Sequence, residues 1–495
     1  MNMELINVIF GMKVRQARTG TGMTLTEFAE RCDLSASYVT EIEKGRKYPK
    51  PDKIVKMAQV LDKPYDELVS IKLAPSLDYL ETALASPLLQ EFPFEAFGLE
   101  LSNLVNLLTR APAKASALLH AMLEIGRQYN LTHEHFLRAA LRSYQELHEN
   151  YFPDLEAAAA EFAAGQGLDG TIPMPFSDLQ RLITQAFGYE LDYERLAADE
   201  RLASYRSVLV EGSRPRLLLN SRLYPNQVKF LLAREMGYRF LDLEDRAYTS
   251  APDQVDSFQQ VYNDFKASYF AGALLMPRPA LVDDIQAFFD HDTWQPDALL
   301  GMLTRYDVTP EMLLYRFSEL IPQFFGLRLH FLRFHHDGSR YRLVKQLNMS
   351  RLLLPSGIAL HEHFCRRWLT VRLLRELRDP GRFREQPHVG AQLSEFYETR
   401  DRFLCLGFAR PLVLSPAVNS SVVVGFRVDN ELRRDVRFLD DPAIPSVIIN
   451  ETCERCPLTP EQCAVRAVPP LVLQAEQGRA QRREALQQLM AERRR

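Results

Sequence analysis

Three of the chain's six cysteines fall in one stretch, TCERCPLTPEQCAVRAVPP, as Cys453, Cys456 and Cys463. Thiols this close can share one ion or cluster. As thiolates they are soft ligands that select zinc, copper(I) or iron–sulfur. A closed structural site takes about four ligands, so one must come from elsewhere. The candidates are Cys365, Cys405, His361, His363 and His388. Cys405, inside RFLCLGFAR, reads as an inward strand residue, and Cys32 as packing among N-terminal helices. A second chemistry lies near the other end, where Lys44, Arg46, Lys47, Lys50, Lys53 and Lys56 form a basic strip suited to phosphates.

The chain that must position these groups has 495 residues, 46% hydrophobic and 25% charged, with a net charge of −4. That composition is globular, with room for two to four cores. The net charge excludes wholesale coating of nucleic acid but not a local basic surface. The opening MNMELINVIF has no basic n-region or cleavage site, and no apolar run is long enough to span a bilayer. A cytoplasmic protein without a membrane segment is expected, with its cysteines reduced or metal-bound.

Residues 6–70 carry apolar positions at helical spacing in short segments separated by turns. Thr24-Leu-Thr-Glu27 is a capping box, and Ser35 is a natural N-cap for the next helix. That helix buries Val39 and Ile42 and turns Ala36, Ser37, Tyr38 and Thr40 outward. Two short helices joined by a tight turn make a helix-turn-helix, whose second helix enters the major groove. TLTEFAERCDLSASYVTEIEKGRKYPKPDKIVKMAQVL resembles the phage-repressor-like (XRE) helix-turn-helix family. The resemblance implies that Thr24, Ser35, Ser37, Tyr38, Thr40, Lys44, Arg46 and Lys47 contact operator DNA. Leu25 stands where that family usually has glutamine, and Asp33 where it has a turn glycine. One small head reads few bases, so a homodimer or higher oligomer is expected.

Residues 75–165 are Ala- and Leu-rich at helical period and read as a spacer or dimerisation element. His133, His135 and His148 lie there without a matching ligand set. Further on, RLLLNSRL, YPNQVKFLLAREMGYRFLDL and FKASYFAGALLMP resemble the ImmA/IrrE-type metallopeptidase domain. In that family HExxH puts two zinc-binding histidines on one helix face, with a glutamate beside them to activate water. Here the five residues run Arg234-Glu235-Met236-Gly237-Tyr238. Both histidines are replaced, Glu235 keeps the place of the base, and Asp264 stands where the resemblance implies a third ligand. Arginine does not release its proton to bind a metal. A pseudo-peptidase is expected rather than an enzyme. The alternative is a stress-responsive metallopeptidase acting on a repressor.

From about residue 320 the pattern turns to strands, with a hairpin signal at Asp337-Gly338. HFLRF, FCRRWLTVRLLRELRDPGRF, CERC and EQCAVRAVPPL together resemble the C-terminal domain of the short-chain fatty acyl regulator family. That family joins this domain to an XRE head and a degenerate ImmA/IrrE-like domain. The resemblance implies that Cys365 completes a site with Cys453, Cys456 and Cys463, holding a [4Fe–4S] cluster or Zn2+. It also implies a short-chain acyl-CoA or related fatty-acid effector. Arg366 departs from the family, which has proline there.

The expected fold class is α+β multidomain. An all-α helix-turn-helix head (1–72) and helical spacer (73–168) precede a mostly helical pseudo-metallopeptidase domain (169–318), a mixed α/β sensory domain (319–472) and a basic helical tail (473–495). The expected function is that of a transcriptional regulator responding to a metabolite or to redox state.

Overall fold

The computed structural model describes residues 3–70, 97–98, 133–168, 170–250, 255–350, 352, 362–377, 386–459, 461–467 and 478–487. Most of the spacer, together with His361, Pro469 and the ends of the basic tail, lies outside these residues. The chain divides into two compact units, the first comprising residues 1–144 and 256–258 and the second the remainder.

In the first unit, five helices build the head: α1 (Met3–Gly20), α2 (Leu25–Cys32), α3 (Ala36–Glu43), α4 (Pro51–Val60) and α5 (Tyr65–Val69). Phe10, Val14, Phe28, Val39, Ile42, Ile54 and Met57 form its core, and Cys32 is buried among them. The capping box forms as the sequence dictates, Thr24 accepting from the Glu27 N–H and Glu27 accepting from the Thr24 N–H. Asp33 closes α2 in the left-handed region at φ 56°, the conformation for which glycine is the commoner choice.

Two contacts seat α3. Gly11 of α1 lies so close to it that an added Cβ would fall 2.2 Å from the Ile42 carbonyl oxygen. Arg18 of α1 also grips Glu43 through Nε and Nη2, at 2.6 and 3.0 Å, while Nη1 donates to the Met23 carbonyl.

The second unit contains a small sheet in the order β1-β3-β2-β4 and a larger one in the order β10-β7-β8-β9-β5-β6. The small sheet comprises β1 (Glu190–Asp192), β2 (Ser207–Val210), β3 (Arg216–Leu219) and β4 (Thr249–Ser250). Around it and after it run the helices α6 (Pro153–Gly165), α7 (Pro225–Phe240), α8 (Phe258–Leu275), α9 (Arg278–Phe289), α10 (Pro296–Tyr306) and α11 (Pro310–Phe325). Arg316 of α11 is 1% exposed and donates to Glu156 at 2.6 and 2.9 Å and to Glu319 at 2.8 Å. Tyr269 of α8 donates to the same Glu156 at 2.7 Å. This polar knot fastens α6, α8 and α11 together.

The larger sheet comprises β5 (Leu329–His336), β6 (Tyr341–Asn348), β7 (His388–Phe396), β8 (Arg402–Pro411), β9 (Asn419–Arg427) and β10 (Ser446–Ile449). Its neighbours are antiparallel except β10 and β7. The expected hairpin joins β5 to β6, with Asp337 accepting from the Ser339 and Arg340 N–H groups and Gly338 at φ 93°. Successive strand residues face opposite ways. Phe331 accordingly meets Tyr315 of α11, whereas Leu332 joins the cluster around α12 (Leu369–Glu376).

Fully buried His330 sits in the α12-side core, its Nδ1 3.0 Å from the Ser350 hydroxyl. Burial pulls its pKa down to about 3. Because the folded value lies below that of the unfolded chain, stability is intact above about pH 6.5 and falls as acid protonates the unfolded state first. Lowering the pH from 6 to 5 is therefore expected to cost roughly 1 kcal/mol through this group. Thermal melts of the wild type and His330→Asn at both values should show a shallower acid loss in the variant.

Candidate functional site

The DNA-reading candidates lie on and after α3. Ser35 is its N-cap, accepting from the Tyr38 N–H at 3.1 Å, so the serine that opens the helix is also exposed at its tip. Ser37 is exposed, whereas Tyr38 and Thr40 are half-buried. The Thr40 hydroxyl donates to the Ala36 carbonyl at 2.9 Å, which engages it within its own helix in the free chain. The ammonium of Lys53 stands 4.5 Å and that of Lys47 5.8 Å from the centre of the Tyr38 ring, so the basic strip wraps this tyrosine. Arg46, Lys47, Lys50 and Lys56 are exposed, with Lys44 half-buried at the C-cap. Thr24 caps α2 within the same small body. An exposed helix tip flanked by ammonium and guanidinium groups can face base edges while its flanks neutralise phosphates.

In the peptidase-like region, α7 carries Arg234, Glu235 and Tyr238, all nearly inaccessible, and α8 carries Asp264. A Cβ on Gly237 would come within 3.0 Å of the Phe270 ring and 3.1 Å of the Ala267 carbonyl. The missing side chain lets the two helices press together and brings Asp264 to Arg234. Arg234 ion-pairs with Asp264, and the Tyr238 hydroxyl donates to the same carboxylate oxygen at 3.2 Å. Burial alone would favour the neutral guanidine, but Asp264, Tyr238 and Glu235 hold Arg234 more firmly charged than an exposed arginine. Glu235 is clamped by Arg246 at 2.6 Å, whose guanidinium also lies 3.9 Å from the Tyr238 ring centre. The three positions implied as metal ligands are thus bonded to one another, and the carboxylate in the place of the base is held by an arginine. Arg246 carries no motif signal in the sequence and emerges only from the packing.

The cysteine segment folds back on the start of α12. Thr452 forms a β-bridge with Phe364, and the Cys453 N–H donates to the His363 carbonyl at 2.9 Å. The Cys365 N–H donates to the Glu451 carbonyl, and the Trp368 indole to the Asn450 carbonyl at 2.8 Å. Four thiols are buried here: Cys365 and Cys453 at 3%, Cys456 at 7% and Cys463 at 8% exposure. Burial raises the Cys365 thiol to about 11, with Cys453 and Cys456 close enough to add to the effect. Burial likewise raises Cys453, opposed by the Ala467 and Arg366 backbone and by the Arg366 charge. Cys463 packs with Cys456 and Leu458.

Among the described residues no three His, Cys, Asp or Glu side chains are converged to hold a metal ion. Cys365 has Cys453 and Cys456 among its electrostatic neighbours, and Cys456 packs with Cys463. In kind, buried sulfurs with backbone N–H support suit a thiolate-bound metal or cluster. His363 is engaged with Glu454 at 2.7 Å and His388 with Glu376 at 2.8 Å. Cys405 is an inward residue of β8, as its strand pattern implies.

Two parts of the chain match known families. Residues 14–68 match the helix-turn-helix family and residues 186–318 the IrrE N-terminal-like domain. The chain is 25% identical over 490 residues to a propionyl-CoA carboxylase regulator of Cereibacter sphaeroides, covering 93% of this chain and 94% of that protein. Among solved structures it is similar to a Mycobacterium tuberculosis transcriptional regulator. There the identity is 19% and the TM-score 0.47, over 68% of this chain and 94% of that one.

Proposed function

We propose that this chain, which carries a helix-turn-helix head and an IrrE-like domain and matches a regulator along nearly its whole length, is a regulator of transcription that grips operator DNA as a dimer. The observation that carries the reading is α3, held by Arg18 and Gly11 with exposed Ser35 and Ser37 at its tip and basic residues on its flank. Operator binding by the full chain, measured at several salt concentrations, tests it. Arg46→Ala and Lys47→Ala should each weaken binding to all sequences alike and lower the salt slope by about 1. A salt slope unchanged in both variants counts against this face.

The larger unit serves as the sensor, without peptidase activity. Its would-be metal positions are occupied by the Arg234–Asp264–Tyr238 group, which supports scaffold rather than hydrolase. The relative named for propionyl-CoA carboxylase supports a short-chain acyl-CoA or a related fatty-acid metabolite as effector. Among the described residues no helix is long and apolar enough to cross a membrane, which is compatible with work on DNA in the cytoplasm.

Cys365, Cys453, Cys456 and Cys463 would hold a [4Fe–4S] cluster or Zn2+. Such a group supplies a redox-responsive centre in the first case and a structural clasp in the second. Burial of the four thiols and the backbone groups at Cys453 support this assignment. Iron, sulfide and zinc measured on protein purified without oxygen should give about four irons per chain or one zinc. Cys456→Ser should lose that content. A variant that kept it would remove Cys456 from the ligand set.

A further inference from the structure

We infer that the larger unit carries a further metal site, a two-coordinate one for copper(I), between Cys405 and His330 beneath α12. Cys405 of β8 and His330 of β5 both stand opposite Gly425 of β9, the strand between them. Directly opposed residues share a face of the sheet. Thiol and imidazole therefore point the same way, into the space that Leu369 and Thr370 of α12 cover.

Gly425 is what lets them meet. A Cβ there would fall 2.3 Å from the imidazole Nε2 and 3.1 Å from the Cys405 sulfur, so any larger residue would wedge them apart. Both donors also line a cavity of about 20 Å³, together with Ser394, Thr370, Trp368 and apolar side chains. About 10–15 Å³ is enough for one water-sized occupant, so this cavity suits a single ion and excludes an organic ligand.

The imidazole is set up as a ligand. Its Nδ1 lies 3.0 Å from the Ser350 hydroxyl, while its Nε2 makes no hydrogen bond with the described residues, although the residue is only 2% exposed. A proton on Nδ1, held by Ser350, leaves the Nε2 lone pair for a metal. The Cys405 sulfur has the Ser394 hydroxyl 3.6 Å away, a group able to donate to a thiolate. Thr370 Oγ1, on the same cavity wall, is buried without a partner.

Charge and softness choose the ion. Burial draws the imidazole down to about 3 and pushes the thiol up to about 12, so both are neutral in the free chain. Copper(I) would displace the thiol proton to solvent and form a neutral pair with the thiolate. A divalent ion would leave one charge uncompensated, and no carboxylate lines the cavity. Thiolate and imidazole are both donors that copper accepts, thiolate favouring its monovalent state. Two donors suffice for the linear geometry of copper(I), so the site does not need the third that the described residues lack.

The inference stands apart from the four-thiol site, which offers sulfur alone, and the test uses that contrast. The full chain, purified without oxygen and holding its own metal, is titrated with copper(I) against a competing chelator, and the copper X-ray absorption spectrum is recorded. The wild type should retain one equivalent more than Cys405→Ala or His330→Asn. Its spectrum should show imidazole scattering beside sulfur, lost in both variants. Silver(I), which keeps its oxidation state, should raise the melting temperature of the wild type but not of the variants.

Equal retention in all three proteins, or a wild-type spectrum of sulfur alone, would overturn the site and leave the cavity to a water molecule. His363→Ala keeps the test decisive if either core variant fails to fold, because it removes the imidazole beside the four thiols and leaves this cavity intact. Imidazole scattering that persists in His363→Ala supports the site, and its disappearance there would overturn it.

Discussion

Glu43→Ala is expected to unfold the DNA-binding head and abolish operator affinity. Glu43 is 7% exposed and accepts from two of the three guanidinium nitrogens of Arg18, at 2.6 and 3.0 Å. Truncating it leaves Arg18 charged within the fold with only the Met23 carbonyl as partner. Breaking a buried pair from one side costs about 3–5 kcal/mol. A helical body of this size holds only about that much stability in total. The expected result is loss of a low-temperature unfolding transition in calorimetry, with the transition of the larger unit unchanged. Arg18→Met with Glu43→Leu should recover most of the loss, since replacing both partners by apolar groups removes the uncompensated charge. If Glu43→Ala melts like the wild type, the seating of α3 does not depend on this pair.

The second large effect is expected from Arg316→Met. Arg316 lies between Glu156 and Glu319, and burial raises the Glu319 carboxyl to about 8. For Glu319 burial thus outweighs the opposing pull of the neighbouring Arg316 guanidinium. Removing the guanidinium leaves Glu156, 7% exposed, with Tyr269 as its remaining donor. The variant should lose about 3–5 kcal/mol in the larger unit, and the loss should ease as the pH falls and the stranded charge is neutralised. Urea melts at pH 7.5 and 5.5 would show this convergence. An equal loss at both values would mean that lost packing, not stranded charge, dominates.

The local features were legible because they depend on neighbours in the chain. The Thr24–Glu27 box, the Ser35 cap and the buried Val39 and Ile42 all follow from short-range spacing, and each is present. The hairpin at Asp337-Gly338 and the inward Cys405 were readable for the same reason. Gly11 shows the limit, because a glycine within a helix looks like a weakness until α3 is laid against it. Arg246 is another such case: its partner Glu235 lies on α7, and nothing in the sequence links the two.

The pairing of Arg410 and Arg333 with Glu311 was invisible because the three come from separate strands and a helix, joined only by register and by the approach of α11. The absence of histidines from REMGY was plain in the sequence, whereas the mutual bonding of Arg234, Tyr238 and Asp264 required the packing of α7 on α8. For the cysteines, spacing offered three neighbours, and only resemblance pointed to Cys365. The structure places Cys365 within electrostatic reach of Cys453 and Cys456.

Sequence-specific DNA recognition is the role proposed for the head of this chain. The most direct test is selection of bound sequences from a random duplex pool by the full-length protein at physiological salt, followed by affinity measurement on the selected and scrambled sites. A two-fold symmetric motif is expected, bound at least about 1,000-fold more tightly than its scrambled form, with that preference reduced by Ser37→Ala. Equal affinity for selected and scrambled duplexes, or a preference untouched by changes on α3, would contradict it.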